Sequence, residues 1–301
     1  MSNNAQSELS EIGSYRCPSN RDHDHSEKST RNPKEFFIQP DILMVMRHSE
    51  RLDDCCSGWI EKCNRKGKYE VFDLNMPSKL PIQRALTDFN NDTCLTRSGV
   101  VLAQMVGRSL HVVGNTPDVI YCSPSLRCIQ TASWVREMSG STAEVRVEPG
   151  LFEDFKYPNG VPTFLTPAQR LTFPVDKGYR PIRALETIIN HQESNDEYNE
   201  RLRVVLQEIV KTFENVVGRD QLRVLIVAHA STVDMSVGLL RERPRKTTSA
   251  ELDSIAITVP YCAMAFLKKK KNNWVPLHNA IPTVTYENLN NRYNPYYVHR
   301  Q

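Results

Sequence analysis

Arg47, His48 and Arg51 stand together in the run Arg47-His48-Ser49-Glu50-Arg51. A neutral imidazole is a nucleophile, and guanidinium groups match phosphate oxygens bidentately. A histidine flanked by arginines can therefore work against an anion that the arginines hold, and phosphate is the anion that fits. Three further runs place polar groups of the same kind: Ser123-Pro124-Ser125-Leu126-Arg127, Gly150-Leu151-Phe152-Glu153-Asp154 and Ala228-His229-Ala230-Ser231. Each of these residues also has a plain structural role open to it. Arg51 can pair with Glu50 or Asp53, Arg127 can be an exposed helix residue, Glu153 a loop carboxylate and His229 a core histidine.

The four runs share a position. Each follows a short segment that reads as a strand: Ile42–Met46, Asp118–Cys122, Glu144–Glu148 and Leu222–Ala228. The first is a continuous apolar run and the last is apolar but for Arg223, the pattern of strands covered on both faces. In a parallel sheet such strand ends meet on one rim, where ligands bind. Helices are expected between them. One starts at Thr96 with a stripe of Val100, Val101, Met105 and Leu110. A second spans Ser125–Met138 with Leu126, Ile129 and Trp134 inward, and Ser123-Pro124 as its cap and first turn. A third spans Glu197–Val217, and a fourth Ser231–Leu240. A hairpin of Cys262–Leu267 and Trp274–Leu277, turning through the lysines at 268–271, closes the pattern. The alternation predicts one α/β domain over residues 37–301, with a mainly parallel central sheet and helices on both faces. Residues 1–36 read as a disordered polar tail. Residues 52–93 and 155–195 read as insertions that wall the pocket.

Composition bounds the rest. The chain has 301 residues, 40% hydrophobic and 24% charged, which suits a globular protein. No apolar run is long enough to span a bilayer and no signal-peptide core is present, so a cytoplasmic protein without a membrane partner is expected. The net charge of +3 is spread along the chain, so no nucleic acid is expected as a partner. The 8 cysteines form no CxxC pair and read as reduced thiols. Asp22-His23-Asp24-His25 reads as a solvated run, so neither metal nor cofactor is expected. No Gly-x-Ser-x-Gly elbow occurs, and the spacing of Cys122 and Arg127 does not match a cysteine-phosphatase loop.

The chain resembles the histidine phosphatase superfamily, the phosphoglycerate-mutase-like fold. The matching residues run in order: Arg47-His48, then Leu95-Thr96-x-x-Gly99 with Gln104 and Gly107, then Ser123-Pro124-x-x-Arg127-x-x-x-Thr131-Ala132, then Glu153, then Ala228-His229. Tyr121–Ala132, Glu148–Glu153 and His229-Ala230-Ser231 resemble most closely the branch of the UBASH3 (suppressor of T-cell receptor signalling) proteins and the ecdysteroid-phosphate phosphatases. The resemblance implies a phosphomonoesterase. His48 would be the nucleophile, with Arg47, Arg51, Arg127 and His229 around the phosphate. Glu153, or Asp154 beside it, would be the proton donor. The implied substrates are phosphotyrosine in proteins or small alcohol or steroid phosphates, and the implied assembly is a homodimer.

One position departs from the family. Glycine usually follows the nucleophile, and this chain has Ser49. Its hydroxyl either helps hold phosphate or crowds the pocket. The second outcome would make the chain a catalytically weak relative that binds a phosphorylated partner.

Overall fold

The computed structural model describes residues 41–65, 68–153, 160–213, 221–240, 248–271, 273–286 and 289–290. The tail expected over 1–36, with Asp22-His23-Asp24-His25, lies outside the described residues. So do Asp154 and the pair Phe155 and Tyr157, whose rings the sequence offers either for stacking on an aromatic leaving group or for packing the second insertion.

Strand β1 (Ile42–Arg47) opens the domain. The first insertion carries short helices α1 (Leu52–Cys55) and α2 (Trp59–Cys63), the pair β2 (Asn64–Arg65) and β3 (Lys68–Tyr69), and a 3-10 turn at Leu86–Phe89. The scattered Cys, Gly and Pro of residues 52–93 suggest an irregular segment, but Trp59, Cys63, Met76, Ile82 and Phe89 bury themselves in the core and order it. Then come α3 (Arg97–Val112), β4 (Val119–Cys122), α4 (Leu126–Ser139) and β5 (Val145–Val147). The second insertion holds α5 (Pro167–Arg170) and α6 (Leu185–Ile189). Helix α7 (Asn195–Val210) leads to β6 (Arg223–Ala228), α8 (Ala230–Leu240) and α9 (Ser249–Thr258). The hairpin β7 (Met264–Lys270) and β8 (Asn273–Pro276) precedes a small pair, β9 (Thr285–Tyr286) and β10 (Leu289–Asn290).

The main sheet has the order β5-β4-β6-β1-β7-β8. Strands β5, β4, β6 and β1 pair in parallel, and β7 and β8 add antiparallel at one edge. The expected α/β fold with a mainly parallel sheet is therefore present. Alternation along β1 and β6 divides the core. Met44, Met46, Leu225 and Val227 pack under α3 and α4, while Leu43, Val45, Val224 and Ile226 pack under α7 and α8.

The helix stripes needed correction. On α3 the buried face is Gly99, Leu102, Ala103, Val106 and Leu110, whereas Val101 and Met105 are exposed. Small residues on that face let α3 approach its neighbours closely. A Cβ on Gly99 would stand 2.4 Å from the Glu50 carbonyl oxygen. Helix α7 begins earlier than expected because Ser194 and Glu197 form a reciprocal capping box. Helix α9 was not foreseen, although Thr248 and Glu251 form the same device in the sequence. No helix among the described residues is long and apolar enough to cross a membrane.

Candidate active site

Strand register brings the two histidines together. Arg47 lies opposite Ala228 in the parallel β1–β6 pair, and the His48 N–H donates to the Ala228 carbonyl at 2.8 Å. The next residue on each strand is a histidine, and their ring centroids are 5.5 Å apart, edge to face. Both are buried. Ser123 directly follows β4 on the other side of β6, its N–H donating to the Val227 carbonyl at 3.0 Å. Its hydroxyl lies 2.8 Å from His229 Nε2.

The tautomer of His48 follows from its contacts. Nδ1 lies 2.8 Å from the Ser49 carbonyl oxygen, which can only accept. The proton therefore sits on Nδ1, and the lone pair is on Nε2. Burial first, then the charges of Arg127 and Arg47, hold the imidazole pKa well below its ordinary value. His48 is thus a neutral imidazole at neutral pH, with one nitrogen fixed and the other available.

Arg127 enters from the start of α4, and its position depends on a residue outside that helix. The Ser125 side chain makes no cap bond. Instead Asp92, from the first insertion, accepts the Leu126 N–H at 2.7 Å. The expected cap at Ser123-Pro124 is therefore replaced by a carboxylate distant in sequence. Asp92 is itself paired with Arg84 at 3.2 Å, and Arg84 also donates to the Thr163 carbonyl at 2.7 Å. This links both insertions to the helix that carries Arg127. Thr131, one turn into α4, donates to the Arg127 carbonyl at 2.7 Å and accepts the Ser49 N–H at 3.0 Å.

Glu153 faces Arg127 and His229. One oxygen forms a close ion pair with Arg127, and the other lies 3.3 Å from His229 Nδ1. Burial would raise the carboxyl pKa, but His229 and Arg127 outweigh it and hold the group well below its ordinary value. His229 moves the other way: burial lowers its pKa despite Glu153. The resting pair is a carboxylate beside a neutral imidazole.

Arg47 and Arg51 complete the cationic ring less directly. Arg47 donates to the backbone carbonyls of Ala256, at 2.9 Å, and Val259, and its guanidinium lies over the Tyr261 ring at 4.4 Å. Arg51 makes a bidentate pair with Asp53, both contacts at 2.7 Å, and reaches Asp54 at 3.3 Å. The surface pairing open to Arg51 in the sequence is therefore realised. Tyr261 donates its hydroxyl to Asp54 and packs its ring 5.8 Å from that of His48. Tyr261 was missed because it follows α9, an element not foreseen.

A sequence profile of the histidine phosphatase superfamily (branch 1) matches residues 83–274. The chain belongs to the histidine phosphatase superfamily. The matched span begins after Arg47 and His48, so their place in the site rests on the register of β1 against β6. Among other members, the chain is 36% identical over 242 residues to an ecdysteroid-phosphate phosphatase of Drosophila melanogaster, covering 77% of this chain and 31% of that protein. It is 31% identical over 255 residues to human ubiquitin-associated and SH3 domain-containing protein A, covering 81% of this chain and 38% of that protein. The chain thus spans about a third of the length of these curated relatives. The crystal structure of the ecdysone phosphate phosphatase of Bombyx mori in complex with tungstate superposes with a TM-score of 0.71 at 29% identity, covering 82% of this chain and 95% of that one.

Proposed function

We propose that the chain hydrolyses phosphomonoesters through a phosphohistidine on Nε2 of His48. The observation that carries this reading is the fixed His48 tautomer: Nδ1 is committed to the Ser49 carbonyl and the ring is held neutral among arginines. In the first step Nε2 attacks phosphorus and the ester P–O bond breaks. The leaving oxygen takes a proton from the Glu153 carboxyl. In the second step water attacks phosphorus, the P–N bond breaks, and Glu153 takes the proton back. Arg47, Arg51, Arg127 and His229 stabilise the equatorial oxygens.

Glu153 is ionised at rest, so it must gain its proton with the substrate. A phosphate beside it engages Arg127 and adds negative charge. Both effects raise the carboxyl pKa, and a monoanionic ester brings the proton with it. Nε of Arg47 is buried with no acceptor among the described residues, and a phosphate oxygen would satisfy it. The tungstate bound by the silkworm relative, a phosphate-like oxyanion, supports the same reading.

The proposed substrates are phosphotyrosine or small alcohol and steroid phosphates. The aromatic ring of Tyr261, beside His48, supports an apolar leaving group. A cytoplasmic homodimer remains the proposed working state, with sedimentation of the full chain as its test. The test of function is hydrolysis of para-nitrophenyl phosphate with chelator present. Wild type should turn over, and His48→Ala should lose activity by at least about 10³-fold. Equal turnover by the two proteins would remove His48 from the mechanism.

A further inference from the structure

Glu153 follows the turn Pro149–Leu151, which is held by its own capping residue, Glu148, and by one group from elsewhere. Glu148, buried, accepts the N–H groups of Gly150 at 2.8 Å, Ile182 at 2.7 Å and Arg183 at 3.1 Å, and the Tyr179 hydroxyl at 2.7 Å. On the other side stands Arg201 of α7. Its Nη1 donates to the carbonyls of Gly150 at 2.8 Å and Phe152 at 3.0 Å. Its Nε and Nη2 each donate to Glu193 at 2.6 Å. The pair is nearly sealed from solvent, with Arg201 5% and Glu193 8% exposed in their side chains.

A buried cation with four charge-assisted bonds is a costly device for closing a turn, and an apolar residue often does as well for stability. Two of those bonds fall on the carbonyls of Gly150 and Phe152, three residues and one residue before Glu153. One turn earlier on α7, Tyr198 shares a hydrogen bond with Ser231 at 2.7 Å, two residues after His229. Helix α7 therefore supports both sides of the Glu153–His229 pair.

We propose that Arg201 is a positioning residue for Glu153. It fixes the Gly150 and Phe152 carbonyls so that the carboxyl meets the leaving oxygen. The proposal rests on the reading of Glu153 as proton donor.

Leaving-group dependence separates this from a merely structural role. A 2,4-dinitrophenolate leaves without a proton, whereas a simple alkoxide needs one. The experiment compares kcat/KM, which reports the steps up to leaving-group release and not the later hydrolysis of the phosphohistidine, on 2,4-dinitrophenyl phosphate and on an alkyl phosphate for wild type, Glu153→Gln, Arg201→Met, Arg201→Lys and Glu193→Gln in the full chain. Glu153→Gln should lose about 10²-fold or more on the alkyl ester and little on the dinitrophenyl ester. Arg201→Met should lose about tenfold or more on the alkyl ester alone, with partial recovery in Arg201→Lys, which keeps a cation at that place. Glu193→Gln, which keeps Arg201 and its carbonyl bonds, should show a smaller loss of the same selectivity. It and Arg201→Lys carry the test if Arg201→Met does not fold. Equal loss on both esters, or no loss, in the Arg201 variants while Glu153→Gln stays selective would overturn the role of Arg201. Absence of selectivity in Glu153→Gln would overturn the acid reading, and the proposal with it.

Discussion

Ser49 donates its hydroxyl to the carbonyl of Gly99 across 2.6 Å. The side chain that follows His48 thus points into the joint between β1 and α3, and its backbone N–H is taken by Thr131. With its hydroxyl committed there, Ser49 is expected neither to crowd a bound phosphate nor to hold it. The departure from glycine, which was the one sequence feature favouring a weak relative, is accommodated by the fold. Ser49→Gly should keep kcat on para-nitrophenyl phosphate within about threefold and lower unfolding stability by about 1–2 kcal/mol, the loss of a buried hydrogen bond plus added chain freedom. Paired kinetics and urea denaturation check it; a tenfold gain in kcat would show that Ser49 does restrain catalysis.

The two buried histidines set a pH dependence of stability. Both fold with pKa values below the ordinary 6.5. Below that pH the unfolded chain takes up protons that the folded chain refuses, so stability falls as pH drops from about 7 towards 5. Each such proton contributes a slope of at most about 1.4 kcal/mol per pH unit. Glu153 acts in a separate, more acid window: its depressed pKa adds stability above about 4.5 that is lost as pH falls through its folded value. Urea titrations between pH 5 and 7.5 should give a shallower slope for His48→Gln than for wild type.

Arg127 is expected to act on both phosphate binding and the protonation of His48. Its charge is a leading cause, after burial, of the low His48 pKa. Arg127→Ala should lower kcat/KM by about 10²–10³-fold through loss of phosphate stabilisation. It should also move the His48 pKa upward, towards 6.5, in an NMR titration of the imidazole. An unmoved His48 resonance would separate the two residues electrostatically.

Asp92 should matter to Arg127 without touching substrate. Asp92→Asn retains an acceptor for the Leu126 N–H but leaves Arg84 without its buried counter-charge. A destabilisation of about 2–4 kcal/mol is expected from the unpaired cation. Displacement of Arg84, which links Asp92 at the start of α4 to Thr163, should raise KM more than it lowers kcat. Thermal unfolding and Michaelis kinetics on the same preparation test both effects.

The sheet and the residues at its rim were legible because local patterns carried them. The apolar runs Ile42–Met46 and Val224–Ala228 marked buried parallel strands, and the polar residues just after them converge as strand geometry requires. Less legible were contacts whose partners are far apart in sequence. Asp92 capping Leu126, Arg84 reaching Thr163 and Arg201 holding Gly150 leave no periodic trace. The face of α3 was misjudged at Val101 and Met105 because apolar residues on a helix surface are common and do not themselves mark the core. The Ser49 hydroxyl was unreadable because its direction depends on Gly99, which lacks a Cβ and lets α3 close in.

The central claim is that Nε2 of His48 carries the phosphoryl group. Acid-free rapid quenching during turnover, followed by peptide mapping and 31P NMR of the phosphoenzyme, tests it directly. The account predicts a base-stable, acid-labile phosphohistidine at His48, bonded through Nε2 because Nδ1 donates to the Ser49 carbonyl. A phosphoryl group on Nδ1, on another residue, or absent from an enzyme shown by isotope exchange to transfer phosphate directly to water would contradict it.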